Sequence, residues 1–416
     1  MRLTFSGSAV RGRVSPPASK SHTHRAFFLS SLANGKSLIT NPLLSADTLS
    51  TLNSIRSIGA SVWKGCSGIQ ITGGNLHPPT VEVDTENSGT TMRLLAGISS
   101  MFSDRVTITG DDSLKKRPMS ELLNALGQMG VECSSDEGYP PVTVKGPNHG
   151  GDVSIDGNIS SQYISSLMIV APMLDRDTKI TIRGGLVSRP YLDITSHMMS
   201  LFGADVNIED HEIVIRNGGY SPCNYSVPAD FSSAAFPLVA GALAGTVSVT
   251  GMDLDDPQGD KEIVNILRGA GASISVDKDT VTSERGELRG MDLDIGDNPD
   301  LFPILAVLFS TADGTTRLYG APQLRFKESD RIDTTVRMLR TIGADIEGTD
   351  DGCIIHGVRK LKGGEIDNAN DHRIMMAAAV ASLVSESPIT MNNAECCSVS
   401  YPMFPDHMRR LGMSVI

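Results

Sequence analysis

The residues with most chemical promise are cations that stand where a cation is out of place. Short clusters of small polar residues recur along the chain: Ser19-Lys20-Ser21, Asn87-Ser88-Gly89-Thr90, Ser160-Ser161-Gln162, Asp230-Phe231-Ser232-Ser233, Asn298-Pro299-Asp300 and Asn370-Asp371-His372-Arg373. Each precedes an apolar run such as Met92-Arg-Leu-Leu-Ala or Met375-Met-Ala-Ala-Ala. Serine, asparagine and aspartate are good N-caps, so the clusters predict helix starts. Free N–H groups and the helix dipole make such a start favourable for an anion. Yet Lys20 and Arg25 stand at the first start, and Arg93 and Arg117 belong to the second. Arg325, Lys327 and Arg331 crowd one late start, and Arg373 opens another. Side-chain cations there oppose the dipole, and a polyanionic ligand is one physical reason to keep them. Taken singly, each has a blander account. A lone Arg or Lys makes a surface salt bridge, and Lys327-Glu-Ser-Asp-Arg331 makes a solvated helix face with i,i+4 pairs. Ser160-Ser161-Gln162 and Asp300 serve as caps, and His372 as a structural histidine.

Other chemistries find no support. The chain lacks GxxxxGK[ST], HExxH and GxSxG, and no carboxylate cluster has metal spacing, so a P-loop, a zinc-protease site and an elbow-type serine hydrolase are unsupported. The six cysteines form no CxxC and read as buried, reduced thiols. Lys+Arg is 36 against 48 Asp+Glu, a net charge of -12, and aromatics are 5% of residues. That balance argues against a nucleic-acid partner, which needs a broad basic surface or stacking platforms. No apolar run reaches the ~18 residues of a membrane span. The opening MRLTFSGSAVRGRV has no apolar signal-peptide core, so a cytoplasmic location is expected.

The positioning elements come from a repeat. Apolar residues at helical spacing, then a glycine, then an alternating strand pattern recur around Gly59, Gly130, Gly203, Gly271, Gly343 and Gly412. The intervals are 71, 73, 68, 72 and 69 residues, so six units of about 70 account for the 416 residues. Each glycine suits a helix C-cap that needs positive φ. Every unit reads as strands plus two helices, the first opened by a polar cluster and the second ended by the glycine. This length implies two domains, three units each. Crossovers are expected near Ser15-Pro-Pro17 and Tyr225-Ser-Val-Pro228. The domains are then 15–227, and 1–14 with 228–416, the N-terminal strand Arg2 to Val14 joining the C-terminal half.

Seven motifs in order resemble those of the EPSP synthase (3-phosphoshikimate 1-carboxyvinyltransferase) family of enolpyruvyl transferases. They are Pro17-Ala-Ser-Lys-Ser-His-Thr-His-Arg-Ala26, Asn87-Ser-Gly-Thr-Thr-Met-Arg93, Lys116-Arg-Pro118, Ser160-Ser-Gln162, Val187-Ser-Arg-Pro-Tyr191, Arg325-Phe-Lys-Glu-Ser-Asp-Arg331 and Asp371-His-Arg373. The resemblance implies an α/β fold: a two-domain inside-out α/β barrel of six βαβαββ-type repeats, three per domain, with helix N-termini facing an interdomain cleft. It implies transfer of the enolpyruvyl group from phosphoenolpyruvate to the 5-hydroxyl of shikimate 3-phosphate by addition and elimination, releasing phosphate on the route to chorismate. Both small-molecule substrates carry a phosphate monoester, of about −1.5 to −2, and a carboxylate. No cofactor is required, and a monomer is expected.

The same resemblance assigns residues. Lys20 and Gln162 would touch both substrates. Ser21, Arg25, Ser160, Ser161, Ser188, Tyr191, Gln323 and Lys327 would hold shikimate 3-phosphate. Gly89 and Arg117 would meet the phosphate of phosphoenolpyruvate, and Arg331 and Arg373 its carboxylate. Asp300, aligned by its spacing to Gly314-Thr-Thr316, is the candidate general base at the attacking hydroxyl. Glu328 is the candidate proton donor, with Lys20 as its rival. Val399 stands where the family often has lysine, which puts one phosphoenolpyruvate phosphate contact and the response to phosphonate inhibitors in question. The sister transferase acting on UDP-N-acetylglucosamine usually has a cysteine five residues before the Arg-Pro of the second unit, where this chain has Asp112. A non-catalytic anion-binding homologue would have lost Asp300 or Glu328, and both are present.

Overall fold

The computed structural model describes all residues, Met1 to Ile416. Twelve α-helices follow one another: α1 (Lys20–Leu32), α2 (Ala46–Ser57), α3 (Gly89–Ser99), α4 (Ser120–Gln128), α5 (Ser161–Val170), α6 (Pro190–Leu201), α7 (Phe231–Ala244), α8 (Ile263–Gly269), α9 (Phe302–Phe309), α10 (Arg331–Thr341), α11 (His372–Ala381) and α12 (Phe404–Arg410). Even-numbered helices end just before the six repeat glycines. Those glycines have φ of 107, 84, 88, 104, 91 and 105° in chain order, the left-handed conformation expected of them.

Strands form six four-stranded sheets with one shared plan. A parallel pair flanks the first helix, and an antiparallel hairpin follows the second. In the third unit, Gly151–Asp156 runs parallel to Thr178–Arg183, which pairs antiparallel with Glu212–Ile215, itself antiparallel to Val206–Ile208. The result is βαβαββ repeated six times, as the sequence implied. Three sheets are completed from a distance. Tyr225–Ser226 supplies the first strand of the first unit, parallel to Gly35–Thr40. The N-terminal segment, expected as one strand, is two strands in two sheets. Leu3–Ser6 pairs with Ile389–Met391 and Ser414–Val415, and Val10–Val14 lies parallel to Gly245–Thr250. The break falls at Gly7-Ser8-Ala9, a run of small residues that turns the chain from one sheet to the other.

Contacts divide the chain into two compact units, Ala18–Val227 and Met1–Pro17 with Pro228–Ile416. Each has its own hydrophobic core. Ser15–Pro17 falls with the second, where Ser15 bonds Thr250 and the Pro17 carbonyl accepts the Asp230 N–H at 2.9 Å. Odd-numbered helices are buried almost all round; every residue of α7, α9 and α11 is buried. Truncating one of their leucines to alanine would cost about 2–5 kcal/mol. Even-numbered helices bury one face, as in α10, where Ile332, Val336 and Leu339 point inward and Asp333, Arg337 and Arg340 outward. No helix is long and apolar enough to cross a membrane. Of the thiols expected to be buried, Cys353, Cys396 and Cys397 are. Cys133 and Cys223 are partly covered, and Cys66 is exposed in a tight hairpin turn.

Candidate active site

Five of the six polar clusters cap their helices directly. Ser19, Ser88, Ser160, Asp230 and Asp371 each accept a backbone N–H from the first turn. The sixth differs: Pro299–Leu301 forms a 3₁₀ turn leading into α9, with Asp300 at its centre. Because the helices within a unit start at one end, residues far apart in sequence gather there.

In the Ala18–Val227 unit the gathering centres on buried cations. Lys20, the first residue of α1, donates to Asp47 Oδ2 at 2.9 Å. One turn on, Arg25 is buried, and its partners are neutral oxygens. They are Thr195 Oγ1 (2.8 Å), the Ser21 carbonyl (3.0 Å), the Tyr191 carbonyl (3.2 Å) and Ser165 Oγ (3.4 Å). Burial pushes its pKa down to about 10. The same burial, with Arg25 beside it, holds the neighbouring His22 down at about 3 and keeps that ring neutral. Ser188 precedes α6 in a left-handed conformation, φ 59°, and its carbonyl accepts the Tyr191 N–H. A non-glycine residue held there is strained, and the turn delivers its side chain to the start of α6.

A second group surrounds Gly89, the first residue of α3. A Cβ added there would lie 3.0 Å from Arg117 Nη1 and 3.5 Å from Arg93 Nη1, so only glycine leaves the space between two guanidiniums open. Arg117 is buried and donates to Asn87 Oδ1 at 2.7 Å, while its Nε has no hydrogen-bond partner. Arg93 donates to Gln162 Oε1 at 2.6 Å and lies over the Tyr163 ring. Gln162 Nε2 reaches Thr90 Oγ1 at 3.1 Å, and its backbone N–H caps on Ser160, next to Ser161. Gly89, Arg117, Gln162 and the Ser160-Ser161 pair therefore belong to one neighbourhood. Arg93, left without a role by the sequence, joins them, and the signal was its place at the end of the Asn87–Arg93 motif.

The second unit arranges its cations differently. Arg331, the first residue of α10, is buried and pairs with three carboxylates: Asp300 (2.9 Å), Asp371 (3.1 Å) and Glu328. Arg373, on the first turn of α11, holds the other oxygen of Asp300 at 2.8 Å. Lys327 Nζ stands 4.0 Å from Asp300. Gln323 is buried close by in sequence and donates to the Gly296 carbonyl at 2.9 Å. Burial alone would push the Asp300 carboxyl up, but Arg373, Lys327 and Arg331 overcome it and hold the group well below the usual carboxylate range. Burial likewise works against the Arg331 charge, and Asp371, Glu328 and Asp300 more than compensate. Asp300, Lys327, Glu328, Arg331 and Arg373 thus form one charged cluster. The carboxylates that steady the cations, Asp47 and Asp371, carried no sequence signal for that pairing. Val399 lies partly buried in the turn Ala394–Val399 that precedes α12.

Six βαβαββ units, four of them with buried arginines near their helix starts, give the chain the fold of the enolpyruvyl transferases. The crystal structure of the enolpyruvyl transferase NikO from Streptomyces tendae superposes with a TM-score of 0.81 over 100% of this chain and 98% of that one, at 17% identity, a likeness of fold alone. EPSP synthase from Acinetobacter baumannii matches at TM-score 0.84 and 30% identity, covering 100% and 99% of the two chains. The 3-phosphoshikimate 1-carboxyvinyltransferases of Methanocorpusculum labreanum and Methanocaldococcus jannaschii are 48% and 41% identical, over 99% and 98% of this chain and 99% and 97% of theirs. The family model for EPSP synthase (3-phosphoshikimate 1-carboxyvinyltransferase) matches residues 5–408. The chain belongs to the EPSP synthase family.

Proposed function

We infer that this chain transfers the enolpyruvyl group of phosphoenolpyruvate to the 5-hydroxyl of shikimate 3-phosphate, releasing inorganic phosphate and forming EPSP. Family membership supports the reaction. The observation that carries the site is Arg25, a buried guanidinium whose hydrogen-bond partners are all neutral oxygens. A buried cation without a counter-charge is costly, and an anionic ligand removes that cost.

In this reading Ser21, Arg25 and Tyr191 hold the carboxylate and ring side of shikimate 3-phosphate, and Ser160, Ser161 and Ser188 its phosphate. Gln323 and Lys327 complete its contacts. The phosphate of phosphoenolpyruvate occupies the gap that Gly89 leaves beside Arg117, with Arg93 lining it. Lys20 and Gln162 serve both ligands. The carboxylate of phosphoenolpyruvate takes Arg331 and Arg373, whose planar forks suit it bidentately.

Chemistry follows in two stages. The 5-hydroxyl oxygen bonds to C2 of phosphoenolpyruvate and yields its proton to a base, while C3 gains a proton from an acid. The tetrahedral adduct then loses a proton from C3 as the C2–O bond to phosphate breaks. Asp300 is the base and Glu328 the acid, with Lys20 the competing donor. Held this far below its usual range, Asp300 is a feeble base in the unliganded protein. It sits on the same two arginines that the substrate carboxylate would occupy. Exchange of one carboxylate for the other frees Asp300 from the two arginines and raises its proton affinity, so substrate binding itself prepares the base.

The test is phosphate release by the purified chain. Release should require phosphoenolpyruvate and shikimate 3-phosphate together. Release with UDP-N-acetylglucosamine in place of shikimate 3-phosphate would reassign the acceptor.

A further inference from the structure

One buried acid beside the charged cluster has no part in the mechanism above. Asp260 lies in the turn Gly259–Glu262 that leads into α8, and it is 6% exposed. Ser232, on the first turn of α7, donates to its Oδ2, while Oδ1 is buried with no hydrogen-bond partner. The groups facing it come from three elements: Asp230 at the cap of α7, Asp300 in the turn before α9, and Arg373 on α11. On its own turn, Lys261 is drawn away to the carbonyls of Leu254 (2.9 Å) and Asp256 (2.8 Å), and Glu262 to Asn265 (3.0 Å).

Three carboxyls thus interact with Arg373, Asp300 by a 2.8 Å contact and Asp230 and Asp260 through space, and they are not equivalent. Asp300 has Arg331 and Lys327 as well as Arg373. Asp230 accepts both the N–H and the hydroxyl of Ser233. Asp260 has Ser232 alone. Burial first, then the negative charge of Asp300, push the Asp260 carboxyl up to about 7, with Arg373 pulling the other way. Burial raises Asp230 as well, but Asp260 is the one brought to neutral pH, where it is divided between its protonated and ionised forms.

We propose that Asp260 is a positioning residue that acts through Arg373, leaving that guanidinium available to the carboxylate of phosphoenolpyruvate while Asp260 is protonated and drawing on its charge once the proton is lost. This rests on the reading that Arg373 receives that carboxylate. The sign follows directly. Above the titration point one more carboxylate acting on Arg373 weakens its hold on an incoming anion, so KM for phosphoenolpyruvate rises with pH.

The experiment compares wild type with Asp260→Asn, which has nearly the same shape and stays neutral, between about pH 6 and 9. Substrate ionisation is common to both enzymes and cancels in the ratio. The ratio of wild-type to variant KM for phosphoenolpyruvate should be constant below about pH 6 and climb by about tenfold above pH 8, with kcat changing less. A ratio flat across the range, or a change confined to kcat, overturns the proposal. Ser232→Ala provides a second arm should the first variant fold poorly. It removes the bond that favours the ionised acid, so the wild-type inflection should move to higher pH; an unmoved inflection also overturns the proposal. Arg373→Lys separates the two levels. If it leaves KM for phosphoenolpyruvate unchanged, the reading of Arg373 itself fails. If it raises KM while Asp260→Asn stays flat, only the role of Asp260 falls.

Discussion

Asp300→Asn should slow turnover sharply while phosphoenolpyruvate binds at least as tightly as before. Asp300 accepts from Arg331 at 2.9 Å and from Arg373 at 2.8 Å, both charge-assisted bonds. Each such bond contributes about 1.5–3 kcal/mol. A substrate carboxylate arriving at the same arginines replaces these bonds and adds none. Asparagine keeps the shape but removes the competing charge, so part of that energy returns to the ligand. A gain of about 1.4 kcal/mol would be tenfold in affinity. Loss of the general base should lower kcat by about 10²–10⁴-fold. Calorimetric titration of phosphoenolpyruvate into enzyme loaded with shikimate 3-phosphate measures the first effect, and phosphate release the second. A kcat within a few-fold of wild type would remove Asp300 from proton transfer. Binding that weakened tenfold would show that Asp300 supports the arginines and does not compete for them.

Gly89→Ala places a methyl group 3.0 Å from Arg117 Nη1; KM for phosphoenolpyruvate should rise by about tenfold or more as the guanidinium moves, with thermal stability nearly unchanged. Arg25→Met should weaken shikimate 3-phosphate binding by about 10–100-fold, yet the unliganded protein should melt no lower than wild type, because an uncompensated buried charge has been removed. Asp300 and Asp371 are both held below their ordinary value of 3.8. Their contribution to stability is therefore complete above about pH 4 and is lost as pH falls further; Asp371→Asn should flatten the acid limb of a Tm-versus-pH curve. Val399→Lys should tighten phosphoenolpyruvate if the missing cation matters; unchanged affinity would mean that Arg93 and Arg117 already suffice.

The repeat was legible because it is written locally. A glycine that must adopt positive φ and a capping serine or aspartate act within a few residues, so spacing alone revealed twelve helices in six units. The division of Arg2–Val14 between two sheets was not legible, since partners at Ile389–Met391 and Gly245–Thr250 decide it. The site shows the same contrast. Cations at helix starts were visible as an electrostatic oddity, and the family motifs named most of them. Their counter-charges were not, because pairing is tertiary: Lys20 with Asp47 is 27 residues apart, Arg331 with Asp300 and Asp371 31 and 40, and Arg373 with Asp300 73. Asp260, with a hydroxyl as its hydrogen-bond partner and no motif around it, left no trace in the sequence.

The two units treat their arginines in opposite ways, and this difference governs how each responds to a ligand. Arg25 is surrounded by hydroxyls and carbonyls, and Arg117 keeps an unpartnered Nε. An anion arriving there meets a cation with no internal rival, so the full charge-assisted bond appears in the affinity. Arg331 and Arg373 are already neutralised by Asp300, Glu328 and Asp371. An anion arriving there trades places with a carboxylate, so little net affinity appears, and the change is expressed in the displaced acid. The first arrangement suits holding a substrate. The second suits converting the act of holding into a shift of proton affinity, which addition to C2 requires of its base. Removing a cation should therefore weaken binding in the first unit, whereas removing an acid in the second should spare binding and cost turnover.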